Sequence, residues 1–222
     1  EYWNVPLMRN TEVIERPADQ TTITKRYTEA AVDFIHENQD KPFFLYLAHN
    51  LPHVPLFRSE EFSQRSMRGL YGDVIEEIDW SVGQVVQALK DTGNDENTLV
   101  VFTSDNGPWD LKGNATDKVK GNMNRRIGGS AMPLKGFKFS KWEGGMRVPA
   151  VLRLPKMIEP NQVTDEIVSS IDILPTIAEL AKAKLPEKKI DGKSLVAFLS
   201  GDQPRSPRDT YFFRTAGVRV KN

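Results

Sequence analysis

A chain of 222 residues is long enough for one α/β domain with a substantial core and room for part of a second. Thirty Lys+Arg balance thirty Asp+Glu, which excludes an overall electrostatic pull toward nucleic acid or membrane, and the lack of cysteine excludes disulfides, thiolate metal sites and a cysteine nucleophile within these residues. No apolar stretch approaches the length of a membrane span, and the opening EYWNVPLMRN does not follow a signal-peptide pattern.

The first two dozen residues, with Pro6 and Pro17 and no clear period, read as irregular. Thr24 then caps a predicted helix through about Glu37, with Tyr27, Ala30, Ala31, Phe34 and Ile35 on one face. Asp40-Lys41-Pro42 ends it, and the apolar run Phe43 to Ala48 has the length and flanks of a strand buried on both faces. A long helix follows from about Leu70 to Lys90. Leu70, Val74, Ile78, Val82, Val85, Val86 and Leu89 recur at three- and four-residue steps, and Gly93 supplies the stop.

Thr98 to Thr103 reads as a second buried strand and Pro149 to Leu154 as a third. Between them, residues 105–147 form a Gly- and Lys-rich region with little periodicity, of the length at which loops are usually functional or disordered. Thr164 or Asp165 opens a helix reaching Ala181, with Pro175 marking a kink or a second start. Ser194 to Leu199 is a short helical turn, and Tyr211 to Val220 a strand or hairpin. Strands alternating with helices predict an α/β fold with a mostly parallel sheet flanked by helices.

Charge is uneven along this plan. Residues 60–96 carry nine acids and three bases, whereas residues 112–141 carry eight bases against Asp117 alone. Such a basic loop focuses anions on whatever it surrounds, or is simply a solvated loop.

Ligands of parallel sheets bind at the carboxyl ends of strands. Here the first strand runs into His49-Asn50-Leu51-Pro52-His53-Val54-Pro55, and the second into Ser104-Asp105-Asn106-Gly107. Asp105 and Asn106 offer hard oxygen donors suited to Ca²⁺ or Mg²⁺; the alternative is an Asp-Asn-Gly turn in which both side chains bond their own backbone and Gly107 takes a positive φ. His53 is a candidate anion ligand or acid, with His49 and His36 less distinctive. Lys138 is a candidate anion partner that spacing alone does not separate from the other bases of the segment.

These residues resemble a known family. Thr103-Ser104-Asp105-Asn106-Gly107, Gly128-Gly129-Ser130-Ala131, Leu134-Lys135-Gly136-Phe137-Lys138 and Trp142-Glu143-Gly144-Gly145-Met146-Arg147-Val148-Pro149 are similar to successive motifs of the type I sulfatases, in the same order. Phe43 to Ala48 with His53 and Pro55 resembles that family's strand and histidine loop. Tyr71-Gly72-Asp73, Glu77, Asp79 and Val82-Gly83 resemble its long helix, Ser170 to Thr176 a later one, and Asp191 to Leu195 a further motif.

The resemblance implies an alkaline-phosphatase-like fold and hydrolysis of sulfate monoesters, from small molecules or sugars, with a bound divalent ion, usually Ca²⁺. It implies metal ligation by Asp105 and Asn106. It also implies sulfate contacts from His53 and from Lys138, four residues before Trp142, with Lys135 a second basic candidate. It suggests a periplasmic, secreted or lysosomal setting.

The family's nucleophile is a formylglycine made from the Cys or Ser of a C/S-x-P-x-R motif. No cysteine is present, and no serine has proline two residues on. The chain is therefore expected to be an interior portion of a catalytic domain over residues 1–201, followed at 202–222 by the start of a small C-terminal antiparallel subdomain. An N-terminal part would supply the formylglycine and the remaining metal ligands, and the isolated chain would be inactive with an exposed strand edge. The competing expectations are a non-catalytic anion-binding relative and a phosphomonoesterase or phosphodiesterase of the same fold. The phosphoesterases typically use two zinc ions, and only three histidines are present.

Overall fold

The computed structural model describes residues 4–109, 128–213 and 217–220. Residues 110–127 of the basic loop lie outside that set. The chain divides into two compact units, one of residues 1–95 and 109–130, the other of residues 96–108 and 131–222.

The first unit opens on a hairpin, β1 (Leu7–Arg9) against β2 (Glu12–Glu15), antiparallel with Arg9 opposite Glu12. This corrects the irregular reading of the opening residues. Strands of three and four residues carry too little alternation to stand out between two prolines, and Asn10 makes the reversal with a positive φ of 54°. Helix α1 (Ile23–Glu37) buries Ile23, Thr28, Ala31 and Ile35 on one stripe. Helix α2 (Gly69–Asp91) packs against it and buries Val74, Ile78, Ser81, Ala88 and Leu89.

The end of α2 is built as its sequence suggested. Gly93 adopts φ +70° and donates to Lys90 O at 3.0 Å, while Asn94 N donates to Leu89 O at 2.9 Å, the two bonds of a Schellman stop. Leu51, Val74 and Ile78 form a buried cluster against which Leu56 and Leu70 pack. Full burial of side chains this size contributes about 1.5–3 kcal/mol each.

Phe43 to Ala48 departs from expectation. Burial alternates, with Phe43, Leu45 and Leu47 half-buried and Phe44 and Tyr46 at 67% and 81% exposure, so one face only is covered. The run joins no ladder among the described residues. Phe43 packs edge-on against Phe34 of α1, with ring centroids 5.8 Å apart. The continuous apolar run suggested burial on both sides, but the period-two exposure is that of an extended chain with one side uncovered.

In the second unit, β3 (Val100–Thr103) pairs with β4 (Ala150–Arg153), Val100 opposite Arg153 and Thr103 opposite Ala150. The pairing is antiparallel. Every strand pair among the described residues is antiparallel, so the mostly parallel sheet is not found there. The two strands sit where the sequence put them; their relative direction is a property of the connection, which no local pattern encodes. A short helix, α3 (Glu143–Met146), precedes β4.

Residues 164–169 are not helical, against the predicted start at Thr164 or Asp165. A 3₁₀ turn at Ser170–Asp172 leads instead into α4 (Ile173–Leu180). Ser169 and Asp172 form a reciprocal capping box, and Pro175 lies in the first turn, where its missing N–H has no carbonyl to serve. Helix α5 (Val196–Leu199) and the hairpin of β5 (Thr210–Phe212) with β6 (Val218–Val220) complete the unit.

Asp172, fully buried, holds these pieces together. It accepts from Ser169 N at 2.9 Å, Lys193 N at 2.8 Å and Arg208 Nε at 3.0 Å, with a second bond from Arg208 Nη2. This carboxylate raises the Arg208 pKa above its ordinary value. No helix among the described residues is long and apolar enough to cross a membrane.

Candidate active site

The carboxyl end of β3 delivers Ser104, Asp105, Asn106 and Gly107. Thr103 Oγ1 donates to Pro149 O at 3.0 Å, and Ser104 Oγ donates to Asn106 O at 3.0 Å. A self-capping turn would have Asp105 and Asn106 oxygens accepting local N–H groups. Among the described residues neither side chain has such a partner, and Gly107 does not adopt a positive φ. Asp105 is exposed and Asn106 half-buried, so both oxygens are left for another use.

Gly107 is required for a different reason. It is buried, and a Cβ there would lie 2.0 Å from Gly144 O and 2.9 Å from Gly145 Cα. The close approach lets Gly107 N donate to Gly145 O at 3.0 Å, and the next residue's carbonyl, Pro108 O, accepts from Lys138 N at 2.8 Å. These two bonds clasp the Asp105–Asn106 turn to the lysine segment.

That segment is internally tied. Leu134 N donates to Ala131 O at 2.8 Å, Ser140 N to Phe137 O at 2.8 Å and Gly144 N to Lys135 O at 2.8 Å, while Gly136 adopts φ +89°. Glu143 at the start of α3 pairs with Arg219 of β6 at 2.6 Å, anchoring the Trp142-Glu143-Gly144-Gly145 turn. Lys135 and Lys138, not separable by spacing, differ here. The Lys135 ammonium sits over the Trp142 indole, 3.8 Å from its centroid, an engaged cation–π pair. Lys138 is half-buried, its ammonium 5.5 Å from the Phe139 ring, and its backbone is the one clasped to the Asp105–Asn106 turn.

Asp105 and Asn106 have the hard-oxygen chemistry that Ca²⁺ or Mg²⁺ selects, but Ca²⁺ takes roughly six to eight oxygens. Among the described residues no three Asp, Glu or His side chains gather into a metal-holding group. The donor type fits a divalent ion, and these two side chains would be part of a larger ligand set.

His53 lies in the first unit, exposed, in a turn where its N–H donates to Asn50 O at 3.3 Å. Its Nδ1 is 2.7 Å from Val54 O; a carbonyl only accepts, so Nδ1 carries the hydrogen and Nε2 is the nitrogen left to a ligand. The structure thus joins Asp105, Asn106 and Lys138 on one scaffold, while His53 belongs to the other unit. His49, passed over in the sequence, proves to be the head of a buried hydrogen-bond chain. Its signal lay in the polar residues Thr28 and Ser81 on otherwise apolar helix faces.

The solved relatives place this architecture in the alkaline-phosphatase-like superfamily. PsFucS1 sulfatase from Pseudoalteromonas sp. superposes with a TM-score of 0.77 at 29% identity, over 90% of this chain and 39% of that one. Ps i-CgsB, in complex with k-i-k-neocarrahexaose, superposes with a TM-score of 0.72 at 33% identity, over 90% of this chain and 43% of that one. Within that superfamily the chain belongs to the sulfatase family, whose profile matches residues 2–183. It is 41% identical over 210 residues to steryl-sulfatase of Homo sapiens, covering 94% of this chain and 35% of that protein. It is 40% identical over 211 residues to human arylsulfatase A, covering 94% of this chain and 39% of that protein. The chain therefore spans little more than a third of the length of these curated relatives.

Proposed function

We propose that this chain supplies the Asp105–Asn106 turn and the Lys138 segment of a sulfate-monoester hydrolase, acting on a small-molecule or sugar sulfate. The carrying observation is the clasp: two backbone bonds, Gly107 N to Gly145 O and Lys138 N to Pro108 O, tie the turn that carries Asp105 and Asn106 to the segment that carries Lys138, in a chain of the sulfatase family. Asp105 and Asn106 would give two oxygens to a divalent cation, Ca²⁺ by family resemblance, and such an ion would supply Lewis-acid polarisation of a sulfate oxygen. The remaining ligands and the formylglycine come from outside these 222 residues, which contain neither cysteine nor Ser-x-Pro.

Lys138 neutralises charge on the sulfate oxygens as the S–O bond lengthens, a contribution that needs a fixed ammonium rather than a proton transfer. His53, with Nδ1–H committed to Val54 O, keeps Nε2 for a ligand; its contact with the sulfate or the leaving-group oxygen rests on family resemblance. A periplasmic, secreted or lysosomal setting belongs to the same proposal and rests on family resemblance.

The test is sulfate release from an aryl sulfate by the full-length polypeptide, beside Lys138→Met and Asp105→Asn. The expected result is turnover that falls about 100-fold in each variant, on the scale of losing one preorganised charge at a reacting centre. Phosphate-ester turnover in preference to sulfate would replace this reading with a phosphoesterase, and sulfate binding without turnover with a non-catalytic relative.

A further inference from the structure

Thr28 on α1, Ser81 on α2 and His49 in the loop after Ala48 form one hydrogen-bond chain, and counting protons fixes its direction. Thr28 Oγ1 lies 2.7 Å from Thr24 O, a carbonyl that only accepts, so the single threonine proton is committed there. Thr28 Oγ1 and Ser81 Oγ are 2.6 Å apart, so the proton between them belongs to Ser81. Ser81 Oγ is then an acceptor toward His49 Nε2 at 3.1 Å, and Nε2 must carry the ring hydrogen. A hydroxyl chain ending on a backbone carbonyl selects one imidazole tautomer.

The other ring nitrogen supports a neutral ring. His49 Nδ1 is buried with no hydrogen-bond partner among the described residues, so a proton added there would be a buried, unpaired donor. Burial holds the His49 pKa below the usual imidazole value, with no charged neighbour contributing. Tyr27, on α1 with Thr28, faces the ring at a centroid distance of 6.4 Å; Ser81 is the group that meets it from α2.

Two residues beyond His49, Leu51 sinks among Val74 and Ile78 of α2. The stretch leading to His53 is thus held to one helix by a directed polar bond at residue 49 and an apolar plug at residue 51, and His53 emerges exposed. An apolar plug resists withdrawal but tolerates rotation; a hydrogen bond between defined atoms sets orientation.

We propose that His49, as a neutral Nε2-protonated imidazole, is a positioning residue that orients the His53 loop through Ser81 and Thr28. The proposal rests on the reading of His53 as a sulfate contact, and deepens it.

The experiment uses the full-length polypeptide with ¹⁵N-labelled histidine and three variants. His49→Gln keeps an N–H near the Nε2 position, His49→Phe keeps the ring volume without a donor, and Ser81→Ala removes the acceptor. The expected spectrum assigns wild-type His49 to the neutral Nε2–H tautomer at neutral pH. In His49→Phe and Ser81→Ala the His53 ring nitrogens shift, and kcat falls about tenfold with KM little changed, on the scale of one lost hydrogen bond. His49→Gln restores both. An Nδ1–H tautomer at His49 overturns the proposal, as do unchanged His53 resonances and kcat in His49→Phe or, should that variant not fold, in Ser81→Ala. A wild-type polypeptide without sulfatase turnover removes the reading of His53 alone; the nitrogen spectra still decide what His49 does.

Discussion

Replacing Gly107 by alanine isolates the contact that joins the Asp105–Asn106 turn to the lysine segment. The added Cβ lies 2.0 Å from Gly144 O, 2.9 Å from Gly144 C and 2.9 Å from Gly145 Cα, all backbone atoms that cannot rotate away. Relief requires the two backbones to part by about 1 Å, which lengthens the 3.0 Å bond from Gly107 N to Gly145 O beyond hydrogen-bond range. Leaving that buried donor unpaired costs about 1–3 kcal/mol, and overpacking adds about 1–3 kcal/mol. The expected loss is therefore roughly 2–6 kcal/mol in urea unfolding of the full-length polypeptide, with faster exchange of the Gly107 amide and a fall in sulfate release. Gly83→Ala is the control of opposite sign. Gly83 is exposed within α2 with nothing within 4 Å of the new Cβ, so the substitution is expected to stabilise by about 0.5–1 kcal/mol. A Gly107→Ala protein that unfolds at the wild-type urea concentration, with its 107 amide still protected, would refute the close-approach argument.

Asp172→Asn strands the Arg208 guanidinium and turns an amide donor toward N–H groups; a loss of about 3–5 kcal/mol is expected in the same urea assay. Asp73 supplies a pH dependence. Burial pushes its carboxyl up, but the Ser66 N–H, the Arg58 guanidinium and the Gln64 N–H together outweigh burial and hold the pKa below the ordinary carboxylate value. A depressed folded-state pKa gives stability that is present above the unfolded value and lost as pH falls through the folded one, so the contribution should fade below about pH 4. Melting curves of wild type and Asp73→Asn should converge there and diverge at neutral pH. Lys135→Ala, which removes the cation over Trp142, is expected to lower sulfate turnover far less than Lys138→Met.

Elements with strong local signals were legible before any coordinates. The seven apolar residues from Leu70 to Leu89 and the Gly93 stop located α2 to within a residue or two, since periodicity and a left-handed cap are both written in adjacent residues. The strands at 100–103 and 150–153 were also visible, whereas their antiparallel pairing was not, because direction depends on a connection without periodicity of its own. The α4 start was misread for a related reason. Val168 and Ile171 continue the helical spacing, but the Asp172 carboxylate caps Ser169 and binds Arg208, a partner 36 residues away that no window contains. At the site, resemblance rather than spacing picked Lys138 from the bases around it; geometry adds that Lys135 is engaged with Trp142. His49 was overlooked because its tautomer is set by hydroxyls on two helices, and neither Thr28 nor Ser81 announces that role alone.

The bonds at Gly107 and Pro108 also tether backbone points far apart in sequence, Gly107 to Gly145 and Pro108 to Lys138, like two stitches in one seam. Bringing such points together from the unfolded chain costs entropy that grows only with the logarithm of their separation, about 0.6 kcal/mol for each doubling. The stitches are therefore sensitive to the backbone atoms they join, Gly107 above all, and insensitive to the length of sequence between them.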